Sequence, residues 1–291
     1  MAAPVLFDRE LRRRRRERGW RSGEAPFLHD LAFAELVSRL GDVRRRFGDT
    51  LLLGCSSADW PAQLAQVAGP VTVTDASPLI AAACGGIPAD EDRLPLADAS
   101  FDLIVAIGSL DGIDDLPGAL LLLRRILRPD GLMLAALGAA GSLPRLRSAM
   151  LAADATLGGA AARMHPAIDV RTGGDLLARA GFALPVADTH GVDLSYTGLP
   201  RLVRDLRAHG ATNILDRRSR VPLGRAALAT AASDFAEGAV DGRTTERVEI
   251  LYLSGWGPAP SQPRPARRGS ATTYLAEALP SRSEKRLQQP E

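Results

Sequence analysis

The feature that most constrains the fold of this chain is a regular alternation of short apolar runs and helical patterns between residues 50 and 137. The apolar runs fit buried strands and lie at Thr50–Leu53, Val71–Thr74, Phe101–Ile107 and Leu132–Leu137. Helical patterns separate them, at about Pro61–Ala68, Pro78–Cys84 and Leu116–Leu127. Because parallel strands need a crossover connection, this alternation predicts an α/β fold with a mostly parallel sheet and helices on both faces.

A basic arm and a helix precede this alternation, over residues 1–47. Arg12–Arg16 is an uninterrupted arginine run, and a run of like charge is typical of a solvated helix face or an interaction arm. A targeting presequence is the lesser alternative, because acidic residues flank the run. Apolar residues at helical spacing then predict an amphipathic helix over Phe27–Phe47.

The pattern after the alternation predicts two late strands and a helical insertion. Phe182–Ala187 contains a proline, so it is expected at or near a sheet edge. Val248–Leu253 is expected to be the last strand and to run antiparallel, after a helical insertion over about 195–240. One domain therefore covers residues 48–256, and a tail rich in proline and arginine covers 257–291.

Composition narrows the class of protein. Lys and Arg together number 36 against 34 Asp and Glu, and this net charge of +2 does not suggest a dedicated nucleic-acid binder. The two cysteines lack a CxxC spacing, and the four histidines are scattered, so we expect neither a disulfide framework nor a metal site. No apolar run reaches the roughly 18 residues of a membrane span. We therefore expect a reducing, aqueous compartment, most simply the cytoplasm.

Polar and glycine residues follow three strands at the edge where open parallel sheets bind ligands. Gly54 follows the first strand and would let a ligand approach the backbone. Asp75 ends the second strand about 20 residues later, where nucleotide-binding folds place a carboxylate on ribose hydroxyls. The alternative is that Asp75 caps the following helix. Asp90 and Glu91 could bind an adenine amino group, or they could form a solvated acidic loop.

These residues, with two further motifs, resemble class I S-adenosylmethionine-dependent methyltransferases. The further motifs are the strand beginning Phe101-Asp102-Leu103 and the segment Leu127-Arg128-Pro129-Asp130-Gly131. The resemblance implies a Rossmann-like sheet of about seven strands and S-adenosyl-L-methionine as the cofactor. The cofactor-binding residues that it implies are Gly54, Cys55, Ser56, Asp75, Ala76, Asp90, Glu91 and Ile107.

Motifs nearer the ends of the chain resemble one family within this class. They are Leu6-Phe7-Asp8-Arg9, Leu176–Asp188, Gly210-Ala211-Thr212-Asn213, Tyr252–Trp256, Arg264-Pro265 and Arg268–Ala271. This family consists of the mitochondrial complex I assembly factors that hydroxylate an arginine and their bacterial relatives. The first half is also similar to the malonyl-acyl-carrier-protein methyltransferases of biotin synthesis. The resemblance implies a complex I subunit as the protein partner.

The chain departs from the usual first motif of the class at two positions. Leu52 replaces an acidic residue, and Ser56 replaces a glycine. A third departure is Leu110-Asp111-Gly112, where the family has Leu-His-Trp. We therefore expect weakened cofactor binding, and three functions stay open: a methyltransferase, an arginine hydroxylase, or a non-catalytic assembly scaffold.

Overall fold

A seven-stranded sheet organises the fold in the computed structural model, which describes residues 5–263 and Ser270. The strands are β1 (Thr50–Leu53), β2 (Val71–Asp75), β3 (Ile87–Pro88), β4 (Phe101–Ile107), β5 (Leu127–Gly138), β6 (Ala183–Tyr196) and β7 (Thr244–Trp256). Their order is β3-β2-β1-β4-β5-β7-β6. The strands from β1 to β5 pair in parallel, and β7 runs antiparallel to both of its neighbours.

The predicted fold class is confirmed by this topology, including the antiparallel last strand and the edge position of β6. The helices in the described part are α1 (Arg9–Ser22), α2 (Phe27–Gly41), α3 (Trp60–Ala68), α4 (Pro78–Ala83), α5 (Leu116–Ile126), α6 (Pro144–Thr156), α7 (Val170–Arg179), α8 (Leu199–Ala208) and α9 (Arg225–Ala236). Most of the predicted tail, including Arg264-Pro265, lies outside the described residues.

Alternate residues of the central strands enter two apolar clusters, one on each face of the sheet. Leu51 and Ile104 pack with the side chains of α5 and α7, whereas Leu52 and Val105 pack with those of α2 and α3. All four side chains are fully buried. A strand buried on both faces has no polar alternation, which explains why these strands appear as continuous apolar runs.

Strand β5 begins before the turn that the sequence predicts. Leu127 pairs with Phe101, and the next pair joins Leu132 to Leu103, so residues 128–131 form an irregular segment within the strand. Asp130 adopts a left-handed conformation there, with φ at +61°. The turn residues were therefore recognised correctly, but they interrupt the pairing of a strand instead of preceding it.

The helical insertion is held by an apolar cluster of its own. Its buried members include Leu146, Ala149, Leu199, Leu202, Ala231 and Phe235, from α6, α8 and α9. The long pairing of β6 with β7 extends beside it, from Ala183 opposite Trp256 to Tyr196 opposite Thr244. The predicted insertion is confirmed, and both late strands are about twice as long as predicted.

Phe235→Ala should lower the free energy of unfolding by about 3–5 kcal/mol, because the fully buried ring fills the centre of the insertion cluster. Chemical denaturation measures this loss. Leu228→Ala on the same helix is the control, since that side chain is 51% exposed and should lose less than about 1 kcal/mol. Equal losses in the two variants would contradict the assigned packing.

Candidate functional site

The carboxyl ends of β1, β2 and β4 meet at one edge of the sheet, where the chain order of the strands reverses. Gly54 and Cys55 follow β1, Asp75 ends β2, and Ile107 ends β4. Open α/β sheets bind ligands at such a position. The structure thus brings together the residues predicted from the strand ends.

The loop after β1 packs tightly against the end of β4. Gly54 has a φ of +80°, and a Cβ atom added there would lie 2.7 Å from both the Ile107 carbonyl oxygen and the Ser109 Cβ atom. The Ser109 hydroxyl donates a hydrogen bond of 3.1 Å to the Leu53 carbonyl. Glycine is therefore required here by packing between two strands, in addition to any approach of a ligand.

Two unusual residues of this loop have local explanations. Ser56 is not among the residues with positive φ, so replacement of the usual glycine creates no left-handed strain. Its hydroxyl forms a hydrogen bond of 2.9 Å with Nδ1 of His29. Leu52 is fully buried in the apolar cluster of α2 and α3.

Asp75 is the best-connected carboxylate of the site. It is 1% exposed, and its oxygens accept hydrogen bonds from the backbone N–H groups of Ser77 (2.8 Å) and Cys55 (3.1 Å). The guanidinium of Arg16 donates a third bond of 2.5 Å. The side chain that caps α4 belongs to Ser77, so the alternative interpretation of Asp75 as the helix cap is wrong.

One face of α1 covers the acidic residues of the site. Its arginines occur at positions 9, 12, 13 and 16, the spacing of a single helix face. Each meets a carboxylate, in the pairs Arg9 with Asp92, Arg12 with Glu91, Arg13 with Asp90 and Arg16 with Asp75. The sequence-based expectation of a solvated arginine face is therefore wrong for this side of the helix.

The two central pairs are almost completely removed from water. Arg12 is 6% exposed and Arg16 is 8% exposed. Arg12 binds Glu91 through two hydrogen bonds of 2.7 and 2.5 Å. Burial alone would lower the pKa of Arg12, but the combined attraction of Glu91, Asp75 and Asp111 outweighs burial and raises this pKa. These arginines are buried because carboxylates about 60 to 80 residues away in the chain compensate their charge.

The same arginines also bind backbone carbonyl groups after β4. Arg16 Nη1 donates to the Gly108 carbonyl at 2.9 Å, and Arg12 Nη2 donates to the Ser109 carbonyl at 2.5 Å. Helix α1 therefore uses acceptors at the ends of β2 and β4 and in the loop after β3. The acidic loop of Asp90 and Glu91 is not solvated, contrary to one of the two sequence-based interpretations.

Asp111 is a further carboxylate that the sequence analysis did not assign to the site. It lies in a short 3-10 turn after β4, and it accepts a hydrogen bond of 2.7 Å from the Gly138 N–H group. Burial raises its pKa to about 6, while Gly138, Arg12 and Arg16 act in the opposite direction. Asp111 is consequently a weaker acid than an exposed aspartate but still ionised at neutral pH.

Two histidines form the wall beside Ser56. The rings of His29 and His209 meet edge to face, with 5.1 Å between their centroids. His209 Nε2 accepts a hydrogen bond of 3.1 Å from the Leu28 N–H group, so Nδ1 carries the proton and donates to the Asp205 carbonyl. Burial lowers the pKa of both histidines, and both are neutral at pH 7.

A cavity of about 260 Å³ lies between α1, these histidines and the loop after β1. Small-molecule pockets usually measure about 300–1,000 Å³. The carboxylates expected to bind ribose and adenine, Asp75 and Glu91, do not line this cavity and are engaged by Arg16 and Arg12. The cofactor-binding role stays a prediction for Gly54, Cys55, Ser56, Asp75, Ala76, Asp90, Glu91 and Ile107.

The part of the chain that the structure describes, residues 5–263 and Ser270, offers neither a metal-ligand cluster nor a membrane-spanning helix. No group of three or more His, Cys, Asp or Glu side chains in this part of the chain is arranged to hold a metal ion. None of its helices combines the length and apolar character needed to cross a membrane.

Comparison with known proteins identifies the domain that carries this site. A family model described as "Methyltransferase domain" matches residues 51–135. That segment contains β1 through most of β5 and therefore the strand ends described above. The class to which the sequence motifs pointed is confirmed by this match.

Similarity over nearly the whole chain is found with proteins named arginine-hydroxylase NDUFAF5, mitochondrial. The protein from Danio rerio is 32% identical, over 94% of this chain and 89% of its own length. The protein from Homo sapiens is 31% identical, over 94% of this chain and 83% of its own length. A malonyl-[acyl-carrier protein] O-methyltransferase from Laribacter hongkongensis is 34% identical, but over only 64% of this chain and 61% of its own length.

A solved structure supports the fold. The YcgJ protein from Bacillus subtilis superposes with a TM-score of 0.55 and 12% sequence identity, covering 79% of this chain and 99% of that one. At this level of identity the match concerns the fold alone.

Acidification from pH 7 to pH 5 should lower the free energy of unfolding. The folded-state pKa of His209 lies below the unfolded value of about 6.5, so the unfolded chain takes up the proton first. Stability is therefore present above pH 6.5 and lost as the pH falls, by up to about 1.4 kcal/mol per pH unit for each such histidine. Denaturant unfolding at several pH values measures this slope.

His209→Gln should reduce this slope, because glutamine can still accept the Leu28 N–H bond and does not titrate. His190→Gln is the matched control, since His190 is exposed on the edge strand, and it should leave the slope unchanged. An identical slope in wild type and His209→Gln would contradict the assigned neutral state.

Proposed function

Since the chain belongs to the NDUFAF5 arginine hydroxylase family, within the class I S-adenosylmethionine-dependent methyltransferases, we propose that it modifies an arginine side chain of a protein partner. The relatives that match nearly the whole chain carry arginine hydroxylase in their names, whereas the malonyl-acyl-carrier-protein enzyme matches a shorter part. The chain is thus a methyltransferase-type protein, and we propose hydroxylation of the guanidinium-bearing side chain as its activity. This reaction is a two-electron oxidation, in which a peroxide, or dioxygen together with a two-electron reductant, supplies the oxygen atom and water is released.

The observation that carries this proposal is that carboxylates at this edge of the sheet pair with arginine side chains of α1. Glu91 accepts one hydrogen bond from each Nη atom of Arg12, whereas Nη2 of Arg13 alone donates to both oxygens of Asp90. Planar, two-bond pairing with a carboxylate is the usual way in which proteins recognise arginine. The acidic edge of this sheet therefore has the chemistry needed to receive an arginine from another chain.

Asp111 is the residue that we propose for contact with the substrate arginine. It lies in the 3-10 turn that begins three residues after the end of β4, it is partly buried, and one of its oxygens accepts a hydrogen bond from the Gly138 N–H group. Asp75 and Glu91 are the residues that the resemblance assigns to the cofactor, which leaves Asp111 for the acceptor. A fixed carboxylate would orient the guanidinium and offset its charge during binding.

We propose a complex I subunit as the partner and the cytoplasm as the compartment. The partner follows from the family, and the compartment follows from the cysteines. Cys55 and Cys84 are both buried free thiols. Contact with Cys84, together with burial, raises the pKa of the Cys55 thiol, which keeps it protonated and unreactive. Unpaired thiols of this kind are typical of a reducing compartment.

A second candidate function is a scaffold that assists assembly without modifying its partner. The observation in its favour is that α1 occupies the acceptors expected to bind the cofactor. A binding partner could use the same carboxylates without any covalent step.

Mass spectrometry of complex I from cells with and without this chain tests both functions. We expect an arginine that is heavier by one oxygen atom only when the chain is present. A gain of one methyl group would overturn hydroxylation in favour of methyl transfer. Unmodified arginines together with impaired assembly would overturn modification in favour of the scaffold.

Asp111→Asn should reduce the modified fraction at least about tenfold at equal expression, because the amide loses the charge that pairs with the guanidinium. Asp98→Asn is the matched control, since that side chain is 65% exposed and pairs with Arg125 away from the site. Full modification by the Asp111 variant would contradict its contact with the substrate.

A further inference from the structure

We propose that α1 and the nucleoside cofactor compete for the same polar groups, so that α1 must leave the site before the cofactor binds. The groups are the carboxylates of Asp75 and Glu91 and the carbonyl of Gly108. This inference rests on the proposed function, because it takes the cofactor from the family. It adds a conformational step on which occupation of the site depends.

The first argument is chemical equivalence. Ribose hydroxyls would bind Asp75 by donating hydrogen bonds to its carboxylate, and an amino group would bind the Gly108 carbonyl in the same manner. The Arg16 guanidinium already donates to both acceptors, at 2.5 and 2.9 Å. The Oδ2 atom of Asp75 also accepts from the Cys55 N–H group, so both of its lone pairs are occupied while Arg16 remains in place, and Arg16 competes with a ribose hydroxyl for this atom.

The second argument is the extent of the contact. Arg12 and Arg16 lie one helical turn apart, and their charged ends are both buried. Arg12 engages Glu91 and the Ser109 carbonyl at the same time. A change of one side-chain rotamer therefore does not open the site, because two neighbouring arginines close it together and belong to one rigid helix.

The third argument is that this closed arrangement leaves donors unsatisfied. Within the described residues, the Nε atoms of Arg13 and Arg16 are buried without a hydrogen-bond partner. The hydroxyl of Thr74, next to Asp75, is buried without a partner as well. Unsatisfied buried polar groups destabilise the state that contains them. They therefore destabilise the closed state, in which α1 lies in the site, relative to an open state in which α1 has left it.

The two ends of α1 differ in a way that suits such a movement. At the start, Phe7 is buried, and the N–H groups of Leu6 and Phe7 donate to the Asp114 carboxylate at 2.8 Å. At the end, Gly23 is in the left-handed conformation, with open space around its Cα atom. Movement of α1 as one body about its attachment near Phe7 would carry Arg12 and Arg16 away together, and it would also open the contact of Gly19 with the Ala208 carbonyl of α8.

Calorimetric titration with S-adenosylhomocysteine tests the competition without requiring activity. Arg16→Gln should bind this ligand at least about tenfold more tightly than wild type, because removal of the competitor shifts the population to the open state. Arg14→Gln is the matched control. Arg14 lies on the exposed side of α1 and pairs only with Glu10, so its loss should change affinity by less than about twofold.

Folding of each variant is checked by thermal melting before titration. If Arg16→Gln does not fold, Arg16→Lys replaces it, because lysine keeps the positive charge but has one nitrogen in place of the two Nη atoms that bind Gly108 and Asp75 separately. Tighter binding by either variant supports competition. Unchanged or weaker binding, with wild type binding the ligand, overturns it and makes Arg16 a neutral neighbour or a ligand of the cofactor.

Hydrogen exchange on the wild-type chain gives an independent result. Addition of S-adenosylhomocysteine should decrease the protection of the α1 amides if the ligand displaces the helix, and increased protection would overturn the inference by making α1 a lid over the ligand. The Arg16→Gln variant gives a further outcome. If its α1 amides are unprotected before any ligand is added and it still binds no S-adenosylhomocysteine, the cofactor assignment in the proposed function is overturned as well.

Discussion

The pairing of buried guanidinium groups with buried carboxylates is the interaction on which the rest of this site depends. Asp75 is a buried carboxylate at the carboxyl end of a parallel strand, so its negative charge must be compensated by hydrogen-bond donors or by a positive charge. Backbone N–H groups of Cys55 and Ser77 supply part of this compensation, and Arg16 supplies the charge. Removal of one partner would leave the other buried and uncompensated, a loss of about 3–5 kcal/mol in comparable pairs. The contacts that hold α1 in place are therefore the same contacts that compensate the negative charge of the site.

The sequence predicted the scaffold better than the site because the two depend on different kinds of information. Strands such as β1 and β4 are continuous apolar runs between turn residues, and this local pattern is sufficient to identify them. The two-residue strand β3 has no such pattern, since Ile87 and Pro88 are exposed, and it exists through pairing with β2 alone. The outer half of β6 was missed for a similar reason, because exposed and partly buried residues are mixed along it without a continuous apolar run, and it is ordered by pairing with β7.

The strand-end residues were predicted because topology alone brings them together, whereas the arginine face was not. Positions 9, 12, 13 and 16 do share a helix face, but α1 has further arginines around its circumference, so periodicity could not distinguish a buried face from a solvated one. The decisive partners, Asp75 and Glu91, are distant in the sequence. A useful signal was the surplus of carboxylates after β3, because three consecutive acidic residues at a ligand-binding edge require positive charge from elsewhere.

The acidic character of this edge also constrains which ligands can replace α1. A ligand that takes the place of two guanidinium groups must donate hydrogen bonds to the same carboxylates, and it benefits from positive charge of its own. S-adenosylmethionine carries a sulfonium and an ammonium group, and an arginine substrate carries a guanidinium, so both fulfil this requirement. Binding of either ligand brings positive charge to this acidic edge, but the parts of S-adenosylmethionine expected to meet Asp75 and Glu91 are neutral hydrogen-bond donors, its ribose hydroxyls and amino group. An arginine-rich first helix is thus compatible with a site for cationic ligands, because it occupies such a site in their absence.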